Sequence, residues 1–177
     1  MTTLFYTWGG FAHRATDRLT LARLFSGLMR LIERSATACC LPTSEDMMDT
    51  SKPVVLIVED HDDTREMLQL VLGIFGCRVL AAANGDDAIR LAEKTLPDLI
   101  LMDMKMPRLD GLALTRVIRS HPTLSKVPIV AMSGMVTPQF HLEALNAGCD
   151  DCLDKPIDFE RLEKLVKQRE AIATLSC

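Results

Sequence analysis

Three short apolar runs in this chain each stop abruptly at charge. Val54 to Val58 runs into Glu59-Asp60, Leu99-Ile100-Leu101-Met102 into Asp103, and a third run into Lys155-Pro156. Near-continuous apolar runs of this length suit strands buried on both faces, and such strands belong to parallel sheets covered by helices. In a parallel α/β sheet the carboxyl ends of the strands face one crevice, where ligands bind. Three carboxylates and one ammonium are therefore expected together at a single sheet edge. Crowded acids are costly without a cation, so the arrangement asks for a divalent metal and an anionic ligand.

The rest of the second half supports that reading. Val54–Glu59, Cys77–Ala82, Pro97–Asp103, Val127–Ser133 and Asp150–Asp154 read as strands. Asp62–Phe75, Gly85–Leu96, Gly111–Ser120, Thr137–Ala147 and a last stretch from Asp158 to Leu175 read as amphipathic helices. Asp62 or Asp63, Asn84 and Asp158 are expected to cap helices, and Gly76 and Gly148 to end them. Five β-α units with short connections imply an α/β fold, a doubly wound five-stranded parallel sheet in the flavodoxin-like order 2-1-3-4-5.

With Asp103 as the reacting group, its carboxylate can attack phosphorus and hold the phosphoryl group as an acyl phosphate. Asp60 and Asp103 would supply oxygens to Mg²⁺, with Glu59 acting directly or through water. The backbone carbonyl of Lys105 is the natural candidate to fill out the shell. Lys155 would place a positive charge against the phosphoryl oxygens, and Ser133, ending the fourth strand, could donate a hydrogen bond to them. Each piece taken alone has a plainer explanation. Acid pairs after strands often serve helix starts, a strand-end Asp or Ser often forms a turn, and a lone lysine is usually a surface group. The joint placement carries the inference.

The residues also match a known pattern. Val-Leu-Ile-Val-Glu-Asp, Leu-Ile-Leu-Met-Asp-Met-Lys-Met-Pro-Arg-Leu-Asp-Gly, Pro-Ile-Val-Ala-Met-Ser-Gly and Cys-Leu-Asp-Lys-Pro resemble the receiver domain of bacterial two-component response regulators. The resemblance covers about residues 53 to 175. It implies that Asp103 is the phosphoacceptor, Glu59 and Asp60 the acidic metal pocket, Ser133 the switch residue and Lys155 the phosphate-sensing lysine. It also implies a cis Lys155-Pro156 bond and a structural role for Arg65. The implied partners are a sensor histidine kinase or a histidine phosphotransfer protein as donor. A downstream target would bind the surface of the fourth helix, fifth strand and fifth helix. The family reads phosphorylation partly through a Tyr or Phe three residues before the lysine. Here that position is Cys152, so a smaller change is expected, or one carried by backbone, Met132 and Met135. Gly134, after the switch serine, would leave the phosphoryl group open to water, and Lys105 and Met135 would tune its lifetime.

Rival chemistries fit less well. A haloacid-dehalogenase-type phosphatase needs a second Asp two positions after the nucleophile, where this chain has Lys105. A flavin module needs Ser, Thr or Gly after the first strand, where this chain has Glu59-Asp-His-Asp-Asp. A receiver-fold adaptor that works without phosphorylation is the remaining alternative; Cys152 argues mildly for it, and intact Asp103, Asp60 and Lys155 argue against it. The expectation is thus a phosphoacceptor regulator, assisting only its own Mg²⁺-dependent phosphorylation and dephosphorylation.

Composition bounds the setting. The net charge of −4 gives no nucleic-acid footprint, and no apolar run is long enough to span a bilayer. Six cysteines in 177 residues make no disulfide scaffold. Cys149-Asp-Asp-Cys152 is a bare pair without a helix N-terminus to activate a thiol, so reduced cysteines and a cytoplasmic setting are expected. Residues 41–52, rich in turn formers, read as a linker between an extension at 1–40 and the receiver at 53–177. Within the extension, Leu21, Leu24, Phe25, Leu28, Leu31 and Ile32 line one helical face, with Arg23, Arg30 and Arg34 opposite. That amphipathic stretch, residues 19–34, suits a packing or dimerisation helix, or contact with a membrane or a partner. A start-site artefact, with translation beginning at Met47 or Met48, is the plain alternative. The last helix runs almost to Cys177, so a single-domain receiver, similar to chemotaxis regulators, is expected.

Overall fold

The computed structural model describes residues 52–106 and 109–175. The expectations for the extension at 1–40, its stretch 19–34 and nearly all of the linker at 41–52 lie outside the described residues. Five strands, β1 (Val54–Val58), β2 (Arg78–Ala82), β3 (Leu99–Asp103), β4 (Ile129–Ser133) and β5 (Asp151–Asp154), form one sheet. All pairings are parallel and the order is β2-β1-β3-β4-β5, the doubly wound flavodoxin-like arrangement expected. Helices α1 (Asp62–Ile74), α2 (Gly85–Thr95), α3 (Gly111–Ser120), α4 (Pro138–Ala147) and α5 (Phe159–Leu175) connect and follow the strands. A two-residue antiparallel ladder, Lys105–Met106 against Leu109–Asp110, lies directly after β3.

Strand periodicity sorts the core into two layers. Leu56, Val58, Ile100, Met102, Ile129 and Ala131 share one buried cluster with Ala88 and Ala92 of α2, Leu114 and Ile118 of α3, and Ala144 of α4. The alternate residues Val55, Ile57, Leu99, Leu101, Val130 and Met132 are equally buried and point the other way. Leu68, Val71 and Leu72 of α1, with Leu162 and Val166 of α5, are buried outside the first cluster and cover that second face. Each fully buried Leu, Ile or Met contributes roughly 1.5–3 kcal/mol.

Local chemistry explains the element ends. The third strand starts two residues later than expected because Asp98 is occupied otherwise. Its carboxylate accepts from the Val54 amide at 2.8 Å, and its own amide donates to the Val54 carbonyl at 2.8 Å. The second helix stops at Thr95, since Leu96 turns into the left-handed region at φ 46° ahead of Pro97. Asn84 and Asp158 cap α2 and α5 as expected, accepting from the Asp87 amide at 2.9 Å and the Glu160 amide at 2.9 Å. The expected cap at Asp62 or Asp63 does not form. His61 occupies that position without a side-chain cap bond, and both acids sit in the first turn, where the helix dipole favours them. Among the described residues no helix is long and apolar enough to cross a membrane.

Candidate functional site

Glu59 follows β1 directly, and its amide extends the ladder by donating to the Ala82 carbonyl at 3.1 Å. Asp103 ends β3, and the parallel register sets it beside Met132 of β4, one residue before Ser133. Lys155 follows β5, and its amide donates to the Ser133 carbonyl at 2.7 Å, binding the two strand ends together. The Lys155–Pro156 bond is cis. From this anchored backbone the Lys155 ammonium reaches Glu59 Oε2 at 2.7 Å and Asp103 Oδ2 at 2.9 Å. Asp103 Oδ1 accepts from the Lys105 amide at 3.1 Å. Glu59, Asp103 and Ser133 are all buried, at 0%, 3% and 1% exposure.

The electrostatics follow from that burial. Burial is the chief influence on Glu59 and raises its carboxyl above the ordinary range, although Lys155 pulls it down; the Asp103 charge adds to the rise. Burial works to lower the Lys155 ammonium, but its bonds to Glu59 and Asp103 together outweigh it and leave its pKa raised. Buried carboxylates gathered on one cation can exchange that cation for another of higher charge. Their donors are hard oxygens, as Mg²⁺ requires, and the ligand atoms of Glu59, Asp60, His61 and Asp103 lie within 4.8 Å of one another.

The surrounding backbone is held by two further devices. Arg65 of α1 donates to the Glu59 carbonyl at 3.0 Å and the Asp60 carbonyl at 3.5 Å, and pairs with Asp62, fixing the acidic loop. Gly111 opens α3 against the phosphoacceptor candidate. A Cβ there would come within 2.6 Å of the Asp103 carbonyl oxygen and 2.8 Å of Met104 Cα, so glycine is required for this approach. Asp110 caps the same helix through the Leu112 amide at 3.0 Å.

Not every expected residue meets the cluster. The Ser133 hydroxyl accepts from the Met135 amide at 3.2 Å. Gly134 beside it has open space where a side chain would be. Lys105 contributes its amide, and its side chain is exposed. Cys152 is 2% exposed within the first core cluster, its thiol pushed up to about 11 by burial first, and then by Cys149 and Asp151. Cys149 and Cys152 form no disulfide. His61 was not singled out by sequence reasoning, yet its Nδ1 lies 3.1 Å from Asp60 Oδ1 and 3.4 Å from Glu59 Oε1. Its only signal was its place directly after the acid pair.

The sequence profile of the response regulator receiver domain matches residues 55–167. The chain belongs to the response regulator receiver family. It is 34% identical over 114 residues to regulatory protein AtoC of Escherichia coli, covering 64% of this chain but only 24% of that protein. Among solved structures, a putative response regulator from Chloroflexus aurantiacus superposes with TM-score 0.64 at 34% identity, over 68% of this chain and 98% of that one. The receiver domain of a Pseudomonas aeruginosa sensor histidine kinase, solved with magnesium coordinated in its active-site cleft, superposes with TM-score 0.62 at 32% identity. That match covers 68% of this chain and 98% of that one. The receiver is a regulatory module of two-component systems rather than a conventional enzyme.

Proposed function

We propose that this receiver accepts a phosphoryl group on Asp103 from a sensor histidine kinase or a histidine phosphotransfer protein and signals the modified state by protein–protein contact. The observation that carries the reading is the Lys155 ammonium bonded at once to Glu59 and Asp103, 2.7 and 2.9 Å away, at the carboxyl edge of the sheet. An Asp103 carboxylate oxygen attacks phosphorus as the phosphorus–nitrogen bond to the donor histidine breaks, and the departing imidazole takes up a proton. Glu59, Asp60, Asp103 and the Lys105 carbonyl would hold Mg²⁺, which supplies charge neutralisation for the phosphoryl oxygens. Lys155 leaves Asp103 for a phosphoryl oxygen, keeping its charge beside the transferred group. Ser133 exchanges its Met135 contact for the same group, so the β4–α4 connection moves with it. Water attack on phosphorus returns the carboxylate, and open space at Gly134 leaves a route for it.

The surface of α4, β5 and α5 would read the change for a downstream target. Cys152, small and buried in β5, has no ring to swing outward, so the signal passes through backbone and the exposed Met135.

Intact mass after incubation with acetyl phosphate tests the reading, with and without Mg²⁺ and beside Asp103→Asn. One phosphoryl unit that requires both Mg²⁺ and Asp103 is expected. A folded, Mg²⁺-binding protein that takes neither phosphoryl group nor beryllofluoride would favour instead an adaptor that works without phosphorylation.

A further inference from the structure

We infer that His61 adds a nitrogen ligand beside the carboxylates of the acidic pocket and so raises its affinity for a borderline divalent ion of the Co²⁺, Ni²⁺ or Zn²⁺ class relative to Mg²⁺. The inference rests on the pocket reading above and deepens it. Glu59 divides its two oxygens: Oε2 faces Lys155 at 2.7 Å, while Oε1 accepts from the His61 amide at 3.4 Å and stands 3.4 Å from His61 Nδ1. On the same side Nδ1 stands 3.1 Å from Asp60 Oδ1. Two ligands about 2.1 Å from one ion stand roughly 3.0–3.4 Å apart, depending on whether the geometry is octahedral or tetrahedral. Both distances from Nδ1 match that spacing, and the three donor atoms lie within 4.8 Å of one another and of an Asp103 oxygen.

The position leaves the imidazole available for this. His61 occupies the N-cap of α1, yet its side chain makes no cap bond and is turned to the acids. It is 59% exposed, so small ring movements need no repacking. Arg65, bonded to the carbonyls of Glu59 and Asp60, fixes the backbone on which all three ligands sit. As an N–H, Nδ1 donates to Asp60; in the other neutral tautomer its lone pair faces the cation. Imidazole suits Zn²⁺, Ni²⁺ and Cu²⁺, and affinities for nitrogen-containing sites rise from Mn²⁺ towards Cu²⁺. Mg²⁺ favours oxygen and water, and gains little from a nitrogen donor. Replacing one oxygen or water by Nδ1 therefore shifts preference towards the transition ions without removing the carboxylates Mg²⁺ uses.

The test is titration of the full chain with Co²⁺ and with Mg²⁺ by calorimetry, together with visible absorption and proton NMR of the Co²⁺ form. Wild type, His61→Ala and His61→Asn are compared, the last placing oxygen near the position of Nδ1. The expected result is a Co²⁺-to-Mg²⁺ affinity ratio that falls about tenfold or more in both variants. The wild-type His61 ring protons should carry paramagnetic shifts. An unchanged ratio, unshifted His61 protons, or a thiolate charge-transfer band placing Co²⁺ on a cysteine would each overturn the assignment. A folded wild type that binds neither ion would overturn the pocket reading itself, and this inference with it.

Discussion

Arg119 and Lys155 are long cations at opposite ends of the same two strands, and they are held in opposite ways. Arg119, at the end of α3, reaches the segments that enter β4 and β5. It donates to the carbonyls of Ser125 at 3.2 Å, Val127 at 2.6 Å and Gly148 at 2.7 Å, and to Asp150 Oδ2 at 2.8 Å. Asp150 in turn accepts from the Ile129 amide at 2.8 Å. Lys155, where β5 ends, is held by two buried carboxylates. A guanidinium bonded to backbone carbonyls has fixed directions and no substitute. An ammonium between carboxylates is a point charge, and another cation can take over its task. One end of the sheet is thus built to stay and the other to exchange partners.

Removing each cation should separate the two roles. Arg119→Ala takes the guanidinium donor from three carbonyls, while Asp150 keeps the Ile129 amide, and should cost about 3 kcal/mol in urea unfolding. Mg²⁺ should stabilise this variant and wild type alike and leave the gap between them unchanged. Lys155→Ala leaves Glu59 buried beside Asp103 without its counterion, and should cost about 2–3 kcal/mol in EDTA. Millimolar Mg²⁺ should close most of the gap to wild type, because without the competing ammonium the ion binds more tightly and adds more free energy to the folded state. An Arg119→Ala gap that Mg²⁺ narrows, or a Lys155→Ala gap that it leaves unchanged, would break the comparison.

A glycine at each end sharpens it. At Gly111 a Cβ would press on backbone, 2.6 Å from the Asp103 carbonyl oxygen. At Gly148, with φ +107°, it would press on the Arg119 side chain, 2.6 Å from Cγ. Both alanine variants should lose about 1–3 kcal/mol. Only Gly111→Ala should also weaken Mg²⁺ binding and slow phosphorylation by acetyl phosphate, since only it displaces Asp103.

The two ends also differed in how far the sequence disclosed them. Glu59, Asp60, Asp103 and Ser133 were legible because they end apolar runs, and Lys155 because its Lys-Pro step ends a short strand; parallel strands carry such positions to one edge. The sheet order followed from the alternation of those runs with amphipathic stretches. Arg119 left no such mark. Its partners are mostly carbonyls, which any residue supplies, and it reads as one more polar residue on α3. The α1 cap was misread for a related reason: Asp62, Asp63 and the neighbouring acids all suit a helix start, and sequence alone does not say that His61 precedes the first turn. The bond from Nδ1 towards the acids is likewise a matter of rotamer, invisible in the letters.

Between the two ends lies Cys152, paired in register with Ala131, and it offers the smallest effect. Its thiol is pushed from 9.0 up to about 11, by burial before the nearby Cys149 and Asp151 charges. A raised pKa means that folding favours the protonated thiol. Its stabilising effect is complete below pH 9.0 and is lost as pH rises through about 11. Comparing wild type with Cys152→Ala over that window should show an alkaline loss larger in wild type by something on the order of 1 kcal/mol. Near pH 8, alkylation of Cys152 by iodoacetamide should proceed only as fast as the protein opens. If phosphorylation moved this position to the surface, as it would an aromatic switch, beryllofluoride would speed that alkylation. An unchanged rate is expected, because the neighbours that bury Cys152 are core residues anchored at the Arg119 end, not the exchangeable groups around Lys155.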